Sequence, residues 1–196
     1  MCPVTGRRVV SFDEWTNVRV SEDLTANFSI IGDAIIYSRP RGRGDLNGLR
    51  NSLALNETVA EKAAGGNGPY VQIEDYADLV GSSQTARREF TRHMNAKADK
   101  RLQALIFCNL SPLMAVAVKI GSRFRTSEKL VHVARHYSDG IKLAADLRDQ
   151  LNDDDDAFVL GQPVCINDAA RGLSPIAVLS DETLDIKTPT LSNRFV

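Results

Sequence analysis

The segment that decides the fold is residues 70–90, which read YVQIEDYADLVGSSQTARREF. Its first residues carry β-branched and aromatic side chains, which predicts a strand over Tyr70–Asp75. A glycine and two hydroxyl residues, Ser82 and Ser83, come next, and a helical pattern runs from them to about Ala96. The segment therefore predicts a strand-to-helix unit with two serines near the junction.

The rest of the chain repeats this alternation on both sides of the segment. Gly32 and Asp33 interrupt an apolar stretch, either as the turn of a hairpin or as a bulge in one long strand. Residues 39–45, rich in arginine and glycine, are predicted to form a loop whose last residue, Asp45, caps the next helix. The further predicted strands are residues 18–21, 28–37, 102–108 and 130–135, and the further predicted helices begin near residues 46, 112 and 141.

This order predicts an α/β fold with a mixed sheet of about five strands and about four helices. An antiparallel pair begins the sheet, and parallel strands with right-handed crossovers continue it. We expect an N-terminal extension over residues 1–17 and a domain over residues 18–152. The acidic run Asp153–Asp156 then opens a linker and a strand-rich C-terminal extension, residues 153–196, which packs on the same domain, serves as a dimerisation arm on a partner, or begins a following module.

Composition excludes several classes of protein. Hydrophobic residues make up 43% and charged residues 25%, which is ordinary for a globular domain. The formal net charge of -1 gives no broad electrostatic reason to expect nucleic acid or an anionic membrane as partner. No apolar run approaches the length of a membrane span, so we expect no insertion into a membrane. The three cysteines are far apart and fit a reducing cytoplasm rather than a disulfide framework or a zinc site. We expect no metal and no cofactor.

Three stretches resemble one known family: residues 69–76, residues 81–87, and the strand from residue 102 to Ser111 with the helix after it. Together with the element order, they are similar to STAS or SpoIIAA-like domains, and to the N-terminal domain ahead of PAS and histidine-kinase modules in bacterial sensors. The resemblance implies a non-catalytic signalling domain that works through protein contacts. It further implies a downstream PAS or kinase module as partner, any kinase activity in that module, and a homodimer.

The serines before the predicted helix allow two interpretations. The resemblance implies that Ser82 or Ser83 is a phosphoacceptor, because phosphorylatable relatives carry their serine at this helix start. The residues around them, VGSSQT, differ from the Asp-Ser-Ser-Gly pattern of those relatives. Free N–H groups and the helix dipole would favour an anion here, and Arg87 could pair with it. The other interpretation is a plain N-cap.

Two further candidate sites remain open at this point. Arg39, Arg41 and Arg43 form a small basic segment that could contact an acidic partner or simply face solvent. Alternatively, the chain is a small α/β enzyme or ligand-binding protein. Its pocket would then lie at the carboxyl ends of the strands, near Asp75, Asn109 and Ser111. No catalytic arrangement stands out, and Cys108 fits a core position.

Overall fold

The computed structural model describes residues 1–63, 68–96, 101–112, 114–116, 118 and 131–152. It describes their side chains except at 94–96 and 151–152. The predicted C-terminal extension, residues 153–196, and most of the helix predicted after Ser111 lie outside the described residues. The predicted division of the chain at residues 17 and 152 stays a prediction.

Eight strands and three long helices alternate along the described chain. Helical residues also occur at 112, 114–116 and 118, and a 3₁₀ turn spans Asp13–Trp15. The strands are β1 Val9–Val10, β2 Val18–Arg19, β3 Leu24–Ile31, β4 Ile35–Gly44, β5 Tyr70–Asp75, β6 Asp78–Ser82, β7 Leu102–Cys108 and β8 Val131–Ala134. The helices are α1 Leu46–Ala63, α2 Gln84–Ala96 and α3 Tyr137–Asn152.

All eight strands belong to one mixed sheet with the order β1-β3-β4-β5-β7-β8. β3 and β4 are antiparallel, whereas β4, β5, β7 and β8 are parallel, as predicted. Two short strands lie off this path: β2 pairs with β3, and β6 pairs with β4. The predicted count of about five strands was too low. β1 and β2 have two residues each and β6 has five, too few to show a periodic pattern.

The hairpin of β3 and β4 corrects the predicted loop over residues 39–45. Gly32 has a φ of 62° and forms the turn, which decides between the two interpretations of this glycine. β4 then runs on to Gly44, because β3 on one side and β6 on the other supply pairing that outweighs the turn-forming composition. At Gly42, φ is 105° and an added Cβ would lie 2.1 Å from the Asp23 carbonyl oxygen. The close approach of the β4 backbone to the Asp23 carbonyl group therefore requires glycine at position 42.

β5 and β6 pair one after the other with the same neighbouring strand, β4, and a short turn separates them. β5 pairs with residues 35–38 of β4, and β6 pairs with residues 41–44, both in parallel. The turn lies at Tyr76 and Ala77, where the Tyr76 N–H donates to the Cys108 carbonyl oxygen at 3.0 Å. Sequence reasoning missed β6, which fills the stretch between Asp75 and the helix start that was predicted at Ser82 or Ser83.

The two faces of the sheet carry separate apolar cores. The first face packs against α1 and α2, and the second face packs against α3 and the N-terminal residues. Successive strand residues alternate between these faces. Core residues of the first face include Trp15, Phe28, Ile36, Leu55, Val59 and Phe107. Those of the second face include Ile31, Ile35, Val71, Ile73, Ile106 and Ile141. No helix among the described residues is both long and apolar enough to cross a membrane.

Candidate functional site

A buried carboxylate, Asp75, lies where β5 ends on the second face. Its side chain accepts hydrogen bonds from the Tyr37 hydroxyl at 2.8 Å, the Asn109 Nδ2 at 2.7 Å and the Ala77 backbone N–H at 3.1 Å. Only 2% of Asp75 is exposed. The two side-chain donors come from either side of β5, since Tyr37 lies on β4 and Asn109 comes directly after β7. The predicted proximity of Asp75 and Asn109 is therefore present.

Two tyrosines extend this carboxylate site toward α3. The Tyr37 and Tyr137 rings meet edge to face, with centroids 5.2 Å apart. Burial raises the pKa of Tyr37 well above its usual range, and the hydrogen bond to Asp75 raises it further. Burial also raises the pKa of Tyr137, and the contact with Cys2 adds to the effect. Both phenols stay protonated at neutral pH, so Tyr37 acts as a donor to Asp75.

Cys108 ends β7 beside this site and is fully buried. Burial raises the pKa of its thiol to about 12, and the charges of Asp75 and Asp139 act in the same direction. An uncharged thiol in a packed environment is a poor nucleophile. The position fits the prediction that Cys108 is a core residue.

The arginines of β4 lie on a strand beside β6, close to an acidic residue. The Asp78 Oδ2 is 2.9 Å from the Arg39 Nε and 3.6 Å from the Arg41 Nη2. Arg39 and Arg41 are two residues apart on β4 and therefore share a face. Arg43 is exposed two residues further on, and its backbone N–H donates to the Asp23 carbonyl oxygen at 2.9 Å. The strand pairing fixes the backbone positions from which these three side chains project.

An exposed apolar side chain lies on β6, next to these charged side chains. Val80 of β6 is 81% exposed, at the register shift where the pairing passes from Gly42–Leu79 to Arg43–Gly81. We call the surface formed by Arg39, Arg41, Arg43, Asp78 and Val80 the arginine patch. Its formal charge is three positive against one negative.

The two serines play different structural roles. The Ser83 Oγ accepts a hydrogen bond from the Ala86 N–H at 3.1 Å, which is the geometry of an N-cap. The same oxygen is 3.0 Å from the Thr85 hydroxyl. Ser82 is the last residue of β6 and pairs with Gly44. Arg87 is exposed, and its backbone N–H donates to the Ser83 carbonyl oxygen at 3.1 Å. The structure thus shows the cap, while a phosphoacceptor role at either serine stays a prediction.

Sequence reasoning missed a buried polar cluster around Glu74 on the first face. Its carboxylate accepts hydrogen bonds from the Ser38 Oγ at 2.6 Å, the Asn56 Nδ2 at 2.8 Å and the Gln72 Nε2 at 2.5 Å. Burial raises the pKa of Glu74, and these three hydrogen bonds oppose the rise. The available signal was the alternation of Gln72 and Glu74 with apolar residues in a strand buried on both faces.

Comparison with known proteins finds similarity among solved structures. No protein-family model and no curated protein matches the chain. Among solved structures, an uncharacterized protein of the DUF3478 family from Shewanella loihica PV-4, with a SpoIIAA-like fold, is similar to it. The two chains are 15% identical with a TM-score of 0.47, and the match covers 62% of this chain and 94% of that chain.

Proposed function

We propose that residues 18–152 form a non-catalytic regulatory domain that acts through protein contacts, and that the arginine patch is its contact surface. The observation that carries the proposal is the exposure of Val80, 81%, on β6 beside the arginines of the paired strand β4. A partner that covers these arginines would also bury Val80, which would give the contact the apolar centre and polar rim found in protein interfaces.

The rigidity of the patch supports this role. The Asp78 carboxylate pairs with the Arg39 Nε at 2.9 Å from the neighbouring strand, so a partner meets one arginine whose position is already restricted. Such restriction lowers the entropic cost of binding. The charges would set the rate and specificity of association, and Val80 would supply apolar burial.

Crosslinking from a single position tests the proposal. A photoreactive amino acid replaces Val80 in one variant and Arg88, an exposed residue of α2, in a control variant. We expect a defined protein adduct in cells from position 80, lost when R41E is added, and no such adduct from position 88. Absence of an adduct from position 80, or the same adducts from both positions, would contradict the proposal.

The resemblance in residues 69–76 and 81–87 supports a narrower proposal. In it, the domain is the N-terminal input region of a cytoplasmic bacterial sensor histidine kinase, and its partner is the downstream PAS or kinase module. Deleting residues 18–152 from such a kinase should then change its autophosphorylation. An unchanged rate would exclude this setting.

A phosphoacceptor at the α2 start is a separate proposal within the same setting. Mass spectrometry of protein from native cells should find phosphate on Ser82 or Ser83. S83D should then alter the crosslinking from position 80, while S83A should not. Unmodified serines under all growth conditions would leave Ser83 as a cap.

A second candidate function is the binding of a small ligand beside Asp75. The observation that favours it is the gathering of Tyr37 and Asn109 around Asp75, which lies at the carboxyl end of β5. A ligand there would have to compete with Tyr37 or Asn109 for the carboxylate. A rise in melting temperature with a metabolite panel, lost in N109A, would support this function, and no rise would exclude binding by the compounds tried.

A further inference from the structure

We propose that the arginine patch binds the acidic run Asp153–Asp156 of a second copy of this chain, so that two copies hold each other through two equivalent contacts. The inference rests on the proposed function, because it uses the same surface. It adds the identity of the partner.

Charge is the first argument for this partner. The patch carries three arginines against Asp78, and the run consists of four consecutive aspartates. Arg41 and Asp78 make only a long contact of 3.6 Å, and the Arg41 side chain is 69% exposed. Arg41 and the exposed Arg43 therefore keep donors available for a bidentate contact with a carboxylate.

An apolar match accompanies the charges. Ala157, Phe158, Val159 and Leu160 follow the acidic run directly. Val80 offers an exposed apolar side chain next to the arginines, so an acidic segment bound to the patch would bring its apolar continuation near Val80. Burial of the Val80 side chain would then add a hydrophobic contribution to the free energy of binding, beside the electrostatic attraction.

Chain length argues for a second copy rather than the same chain. α3 begins at Tyr137 beside Tyr37, and its last turns lie beside Arg7, which contacts Asp149 and packs against Gly32. Gly32 forms the turn before β4, so α3 ends at the far end of β4 from the patch. At about 3.3 Å per residue, Arg41 and Arg43 lie roughly 20 Å to 26 Å beyond Ile35.

The acidic run cannot cover that distance within its own chain. Four residues extend at most about 14 Å from the end of α3, which is less than the roughly 20 Å to 26 Å that separate Ile35 from Arg41 and Arg43 along β4. The run of a second copy has no such restriction. Because each copy carries both a patch and a run, the contact repeats itself about a two-fold axis and closes as a dimer.

Charge reversal in the full chain tests this dimer. Sedimentation velocity on residues 1–196 should show a dimer at low salt that dissociates as salt is raised. We expect R41E/R43E to weaken the dimer by about tenfold or more, and D153K/D154K/D155K/D156K to do the same. R87E/R88E, which reverses two exposed arginines of α2, is the matched control and should leave the dimer unchanged.

Mixing the two weakened variants gives the sharpest result. The R41E/R43E chain has an acidic patch and an acidic run, whereas the other has a basic patch and a basic run. Both contacts become favourable in the mixed pair, so a heterodimer should form. Circular dichroism of each variant checks that it is folded.

Three results would overturn the inference: a monomeric wild type, a dimer that neither reversal weakens, and the lack of a heterodimer from folded variants. The proposed function survives these results if position 80 still crosslinks to another protein. The proposed function fails as well if position 80 gives no adduct or gives the same adducts as position 88.

Discussion

The two faces of the sheet treat neighbouring carboxylates of β5 in opposite ways. Glu74 points to the first face, beneath α1, and its three donors all come from side chains of the same buried layer. Asp75 points to the second face, and its side-chain donors, Tyr37 of β4 and Asn109 after β7, are both half-buried. One residue of register thus separates a structural acid from one at a candidate site.

The difference follows from how far each helix layer extends. α1 has 18 residues and packs on β3 and β4, so the first face is covered along both long strands. α3 packs mainly on β5, β7 and β8. On the second face, α3 packs less on β4 than on β5 and β7. A surface for a partner can therefore arise on the second face, whereas polar groups of the first face must satisfy one another.

Removal of the Glu74 carboxylate should have the largest effect. E74A leaves the Ser38, Asn56 and Gln72 donors buried without an acceptor, which we expect to lower the free energy of unfolding by about 3 kcal/mol or more. Chemical denaturation measures the loss. E74Q is the matched control, because its amide oxygen can accept from Asn56 and Gln72 and its amide can donate to Ser38. A mild E74A would show that the cluster is hydrated.

The pH dependence of stability should report the same carboxyl group. Burial raises the pKa of Glu74 above its ordinary value of 4.5, so the folded state binds this proton more tightly than the unfolded state. Its contribution to stability is then complete below about pH 4.5 and is lost as the pH rises through the folded pKa. The unfolding free energy of wild type minus that of E74Q should fall over this window. A difference that rises with pH would mean that the three donors lower the pKa instead.

Close packing of α3 on the second face gives the next effect. An added Cβ at Gly140 would lie 2.3 Å from the Cys108 Sγ, so G140A must push α3 away from β7. We expect a loss of about 2 kcal/mol. G140A/C108A removes the sulfur atom and should recover part of the loss, which thermal unfolding can measure. Equal losses in both variants would place the strain elsewhere.

Loss of the α2 N-cap should lower the free energy of unfolding less than loss of the Glu74 cluster or of the packing at Gly140. S83A removes the acceptor for the Ala86 N–H and should cost about 1 kcal/mol. S82A changes the neighbouring hydroxyl at the end of β6, where no capping bond is seen, and should cost less than half as much. Urea unfolding of both variants gives the comparison. A larger cost for S82A would reverse the assignment of the cap.

Local patterns predicted much of this structure, and pairing between distant segments explains the rest. The β7 strand and the α2 helix were predictable because an apolar run and a capped helical period lie within single stretches of sequence. The strand character of residues 39–44 was not, since their arginines and glycines are typical of loops and only β3 and β6 hold them extended. Asp75 and Asn109 were expected to lie close together, because the carboxyl ends of neighbouring parallel strands meet at one edge of the sheet. The Glu74 cluster draws Asn56 from α1, a contact that no local pattern indicates.

Substitution of two valines on successive strands distinguishes an effect on stability from an effect on binding. Of all these changes, we expect V80S to have the smallest effect on folding. Val80 is 81% exposed, so V80S should change the free energy of unfolding by less than about 0.5 kcal/mol. V71S, at a position fully buried in the second-face core, should cost about 3 kcal/mol and serves as the control. If the arginine patch binds a partner, V80S should nevertheless weaken that association, as sedimentation velocity of the full chain would show for the proposed dimer. A V80S chain that is both fully stable and fully associated would remove Val80 from the contact and leave the arginines alone to account for it.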